Sequence, residues 1–90
     1  CYIYKKQKNT MIVTERAEEI PVRKTLNNVY EELDGEEFIY IDRCNIINML
    51  KIKRIENERV YLSCGKSLTM SVLNSAKVKK KVSLFWGERI

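Results

Sequence analysis

Apolar and polar positions change their period several times along this chain, and the sharpest change falls between Phe38 and Ile55. Residues 38–41 have the pattern of a strand, 44–48 suit a short helical turn, and 52–55 return to an extended pattern. Asp42 and Arg43 fall at the change, where side chains leave the core on an exposed corner. Upstream, Tyr2-Ile3-Tyr4 and Thr10-Met11-Ile12-Val13-Thr14 predict two strands rich in aromatic and β-branched residues. Between them lies a basic polar loop, Lys5-Lys6-Gln7-Lys8-Asn9. A turn over 15–18 leads to a third strand, Glu19 to Arg23, whose Pro21 belongs on a sheet edge because proline cannot donate to a ladder. Thr25 caps a helix whose Leu26, Val29, Tyr30 and Leu33 repeat at i, i+3, i+4 and i+7, with Gly35 as its stop. The exposed side of that helix carries Asn27, Asn28, Glu31 and Glu32, so it repels phosphate and reads as a structural brace.

Lys51 to Ile55 and Arg59 to Ser63 form a predicted hairpin about Glu56-Asn57-Glu58. Cys64-Gly65 makes a second turn, and Lys66 to Met70 returns as the last strand of a meander. Ser71 then occupies an N-cap position. Val78, Val82, Phe85 and Trp86 make one apolar stripe on a C-terminal helix, which is expected to pack on the sheet through Val82, Phe85 and Trp86. Lys77, Lys80 and Lys81 lie on the other face, and the first turn can hold a phosphate through backbone N–H groups and Lys77. The fold class is mainly β with short helices, built from small antiparallel sheets and a C-terminal helix. With no internal repeat or linker, residues 1–90 read as a single domain.

Composition narrows the function. Apolar residues make up 44% of the 90 and charged residues 32%, with three Gly and one Pro, which is globular but too small for an enclosed enzyme cleft with a lid. The chain has no histidine, no C-x-x-C pair and no Gly-rich phosphate loop. A metal site, a cofactor and nucleophilic catalysis therefore have no supporting pattern, and the expectation is a protein that is not an enzyme. Cys1, Cys44 and Cys64 suit reduced, partly buried thiols in a cytoplasmic protein. No apolar run approaches the roughly 20 residues that span a bilayer, and no signal peptide is visible. The chain begins at Cys1 in a strand pattern without an initiator Met, so a C-terminal piece of a longer protein is expected.

The net charge of +5 is unevenly placed: +3 over residues 1–10, −5 over 11–40, +2 over 41–60 and +5 over 61–90. A basic first loop, middle corner and C-terminal segment can converge on one positive surface with the acidic helix turned elsewhere, which suits a polyanion. The bland alternative is that each Lys is simply solvated. No helix-turn-helix, zinc finger, basic zipper or ribonucleoprotein motif is present, so any nucleic acid must be bound by loops.

The order of elements, with Phe38-x-Tyr40-Ile41-x-Arg43-x-x-Ile46-Ile47-Asn48, then Ile52-x-x-Ile55, Val60-x-Leu62, Gly65, Leu68 and Ser71, resembles the LytTR DNA-binding domain over nearly the whole chain. The resemblance implies an elongated, mostly β fold whose loops and strand-to-helix corner enter successive major grooves of double-stranded DNA. It implies a bacterial cytoplasmic transcription regulator of a two-component system, with a receiver or other regulatory domain in the full-length chain and RNA polymerase as a further partner. Carried onto this sequence, the DNA-binding residues are Lys6, Lys8 and Asn9 in the first loop, Arg43 and Cys44 at the corner, and Ser71, Leu73, Asn74 and Lys77 at the last helix. Lysines neutralise phosphates, Arg43 matches guanine O6 and N7, Asn74 matches an adenine edge, and Ser71 reaches a phosphate. Asp42, Cys44 and Leu73 stand where the family commonly has His, Ser and Arg; Leu73 offers only an apolar contact such as a thymine methyl. Asn48 is expected to bond local backbone and hold the corner. For Arg43 the alternative is a surface ion pair with Asp42 or a nearby Glu. For the whole chain it is a small β-rich protein-interaction module that presents its acidic helix and Trp86.

Overall fold

Adjacent Ile46 and Ile47 are both fully buried, which two neighbouring strand residues achieve only when both faces of the sheet are covered. In the computed structural model, which describes residues 1–33 and 35–88, they sit on strand β5. The strands are β1 (Tyr2–Lys6), β2 (Asn9–Val13), β3 (Glu19–Val22), β4 (Phe38–Tyr40), β5 (Asn45–Asn48), β6 (Ile52–Glu56), β7 (Arg59–Leu62) and β8 (Ser67–Thr69); the helices are α1 (Leu26–Glu32) and α2 (Val72–Glu88). One sheet has the order β3-β2-β1-β5-β4 and the other β6-β7-β8, with every pairing antiparallel. The expected class, mainly β with small antiparallel sheets and a C-terminal helix, is the fold observed.

Ile46 pairs with Ile3 across β5 and β1 and, with Leu26 and Val29 of α1, forms the smaller core. Ile47 pairs with Ile39 and faces the larger core, where Val60 and Leu62 of the second sheet meet Val78 and Phe85 of α2. The five-stranded sheet is thus sandwiched between α1 on one face and the second sheet with α2 on the other.

This burial on both faces corrects the helical turn expected over 44–48. A strand covered on both sides loses its alternation, and a short apolar run flanked by Asn then looks like a helical turn. The tight turn comes one step later, as a 3-10 turn at Met49–Lys51 capped by Asn48, whose Oδ1 accepts from the Leu50 N–H at 2.9 Å. Asn48 does bond local backbone, but it holds this turn and not the corner. The basic loop over 5–9 is also shorter than expected: Lys6 pairs with Asn9, and only Gln7 and Lys8 turn, with Gln7 at φ 54°.

Pro21 lies on β3, an edge of the large sheet, as its missing N–H demands. Thr25 caps α1, accepting from the Asn28 N–H at 3.1 Å. The helix closes at Leu33, whose N–H reaches the Tyr30 and Val29 carbonyls, ahead of Gly35. Trp86 corrects the predicted stripe: Val78 and Phe85 are buried, whereas Trp86 is 39% exposed and meets the Phe85 ring edge-on. The helical position the stripe missed is Ser75, which is buried and donates to the Asn57 carbonyl at 2.9 Å. Cys44 is exposed, unlike the half-buried Cys1 and Cys64, because it lies in the β4–β5 turn; all three are free thiols.

Candidate nucleic-acid interface

The corner that carries Arg43 joins two antiparallel strands, β4 and β5, so it is strand-to-strand and not the strand-to-helix corner expected. Its backbone is held from three sides. The Ile41 N–H donates to the Asn45 carbonyl at 3.0 Å, and the Cys44 carbonyl accepts from the Lys5 N–H of β1 at 2.9 Å. Inside the turn, Asp42 Oδ1 accepts from the Cys44 N–H at 2.7 Å, and both carboxylate oxygens accept from Asn45 Nδ2 at 3.0 and 3.1 Å. Asp and Asn favour this local bonding in turns. The negative charge that stood out in the sequence is therefore turned into the corner and hydrogen-bonded there. No ion pair among the described residues involves Arg43; those present join Lys24 to Glu32, Lys51 to Glu15 and Arg54 to Glu56. The exposed Arg43 guanidinium is not committed to Asp42.

Two open hollows flank this arginine. One, of about 420 Å³, runs between the corner and α2 and is lined by Tyr40, Asp42 and Arg43 on one side and Asn74, Lys77 and Lys81 on the other. The second, of about 490 Å³, runs from Arg43 and Tyr40 towards the β1–β2 hairpin, where Lys5, Lys8 and Asn9 line it, and towards Lys24 and Asn27. Three segments far apart in the chain thus share one basic surface with Arg43 and Tyr40 at its middle.

Of the residues expected to form a site, Lys8, Asn9, Arg43, Asn74 and Lys77 line these hollows. Lys6, on β1, and Cys44, in the corner, are exposed but line neither hollow. Ser71 caps α2, its Oγ accepting from the Asn74 N–H at 3.1 Å, which leaves its O–H as the group available to a ligand. Leu73 is 67% exposed on the first turn of α2, beside an equally bare Val72.

Sequence reasoning missed Tyr40, Lys24 and Lys81. Tyr40 lies between buried Ile39 and Ile41, so strand alternation turns it to the opposite face, where its ring packs 4.7 Å from that of Tyr30. Burial first, and then Tyr30 and Glu31, raises its pKa above the usual tyrosine value, so its hydroxyl stays a neutral donor. Lys81 has a sequence signal, its i+4 spacing from Lys77. Lys24 has none, because only the β2–β3 pairing brings it to the hairpin.

Among the described residues no group of three or more His, Cys, Asp or Glu could hold a metal ion, and no helix is long and apolar enough to cross a membrane. No curated protein sequence matches the chain. Among solved structures it is similar to the LytTr DNA-binding domain of a protein described as a methyl-accepting/DNA response regulator from Bacillus cereus. The match has 21% identity and a TM-score of 0.77, and covers 90% of this chain and 78% of that one. At that identity the likeness concerns the fold. The sequence model of the LytTr DNA-binding domain matches residues 1–83, and this chain, which has that fold, belongs to the LytTR DNA-binding domain family.

Proposed function

We propose that the chain binds double-stranded DNA sequence-specifically, as the output domain of a bacterial transcription regulator in the cytoplasm, without chemistry of its own. Arg43 reads a base edge at the centre of the footprint; Asn74 and Leu73 add base contacts from α2. Lys6, Lys8, Asn9, Ser71 and Lys77 position the phosphate backbone, and Cys44 lies against the groove wall beside Arg43. In a full-length regulator a receiver domain would supply the signal and RNA polymerase the target. The observation that carries this reading is the shared surface: hollows on either side of an unpaired Arg43 connect it to Lys8 and Asn9 in one direction and to Asn74 and Lys77 in the other. Cations with hydrogen-bonding side chains between them match a duplex, where phosphates position and base edges specify.

Selection of binding sites from random duplexes, repeated with Arg43→Ala, tests it. The wild type should enrich one motif, with affinity falling steeply as salt rises. Arg43→Ala should lose preference at one position, about 1–3 kcal/mol there. A variant that keeps wild-type discrimination would remove Arg43 from the reading role. Salt-insensitive binding would point to an apolar protein partner instead.

A further inference from the structure

The basic surface does not end at the first hairpin. A further hollow of about 460 Å³, lined by Lys8, Asn9, Arg23, Lys24, Thr25 and Asn28, shares four of these residues with the hollow that reaches Arg43. Its lining has three cations and three neutral polar residues and no acid. Arg23 and Lys24 precede α1 and stand outside the segments that the motif resemblance brings to DNA.

The backbone here is built into the sheet. Thr10 pairs with Val22, so Arg23 leaves the ladder next to Asn9. The Thr10 side chain is buried, and its hydroxyl donates to the Lys24 carbonyl at 2.6 Å, clamping Lys24 to the base of the hairpin. Thr25 then caps α1. The two cations are therefore held at a set position relative to Lys8. Lys24 Nζ is 2.7 Å from both carboxylate oxygens of Glu32, and the side chains are 49% and 61% exposed, so water screens a pair that a stronger anion can displace. The acidic face of α1, which by itself repels DNA, thus supplies a partner to one of these cations.

We propose that Arg23 and Lys24 form a second phosphate-binding shelf that holds the duplex backbone beyond the hairpin, flanking the bases read at Arg43. Glu32 competes with phosphate for Lys24 and so tunes affinity without affecting sequence preference. This rests on the DNA-binding reading above.

The test is affinity by fluorescence anisotropy over a salt series, on the duplex enriched by selection, for the wild type, the double variant Arg23→Gln/Lys24→Gln, and Glu32→Gln. All three side chains are exposed, and a thermal melt of each variant checks folding. Two lost phosphate contacts should make the slope of log K against log salt shallower by about 2, at roughly 0.9 per phosphate, with base preference unchanged. Glu32→Gln should bind about two- to fivefold tighter at low salt, a gain that misfolding cannot produce. If the wild type binds with sequence preference and both variants reproduce its affinity and slope, the shelf lies off the footprint and DNA binding stands. If the wild type enriches no motif, the DNA-binding reading fails and the shelf with it.

Discussion

Asp42→Ala separates two roles that the corner carboxylate can be given. If its charge merely opposes phosphate, removing it should strengthen DNA binding and leave the fold alone. The geometry argues otherwise. Asp42 accepts from the Cys44 N–H at 2.7 Å and from Asn45 Nδ2 at 3.0 and 3.1 Å, so alanine deletes two charge-assisted interactions inside a half-buried turn. Charged hydrogen bonds contribute about 1.5–3 kcal/mol each, and water recovers part of that at an open corner, so the expected loss is about 2 kcal/mol. At roughly 4–8 °C per kcal/mol for a domain of this size, the melting temperature should fall by about 8–16 °C. Asp42→Asn is the control. Its Oδ1 can still accept from both donors, so its stability cost should stay below about 1 kcal/mol, and with one negative charge gone beside Arg43 its DNA affinity should rise. Far-UV circular dichroism melts and anisotropy at matched salt measure both effects. An Asp42→Ala protein that melts within about 2 °C of the wild type would show that the carboxylate does not hold the turn. Wild-type base discrimination in both variants would show that Arg43 does not depend on the carboxylate.

Two further perturbations probe the framework. Ser75→Ala removes the buried hydroxyl that ties α2 to the β6–β7 turn through the Asn57 carbonyl; urea unfolding should show a loss of about 1–2 kcal/mol at constant m-value, and unchanged stability would mean the bond contributes nothing to docking α2. Tyr4 on β1 donates to the Glu19 carboxylate of β3 across the intervening β2, and this bond raises its pKa from 10.0 to about 12. A raised acid pKa favours the protonated form in the folded state, so this contribution is complete below pH 10 and fades as pH climbs towards 12. In an ultraviolet absorbance titration, Glu19→Gln should move one tyrosine back towards its ordinary range, and superimposable curves would rule out the pairing.

The strands that bury one face, the proline edge, the caps at Thr25 and Ser71 and the placing of Arg43 at a break in period were legible because each depends on neighbours within a few residues. Strand β5 was misread because its pattern is set by partners at both faces: Ile46 meets α1 from far upstream, and Ile47 meets β7 and α2 from downstream. Trp86 was misplaced for a related reason. Helical spacing defines a stripe, while the width that the sheet covers is set by the facing side chains, and that cover stops at Phe85.

The candidate interface divides along the same line. By itself the sequence determined which residue types are available and that basic segments lie on both sides of an acidic one, since charge and hydrogen-bonding capacity belong to the residue. Only the tertiary structure decided that Arg43 stands between two hollows, that Asp42 turns its charge into the corner, and that Tyr40, Lys24 and Lys81 line the same surface. Those outcomes follow from antiparallel register and the packing of α2 across the large sheet, which bring together side chains from opposite ends of the chain and leave no local pattern to read.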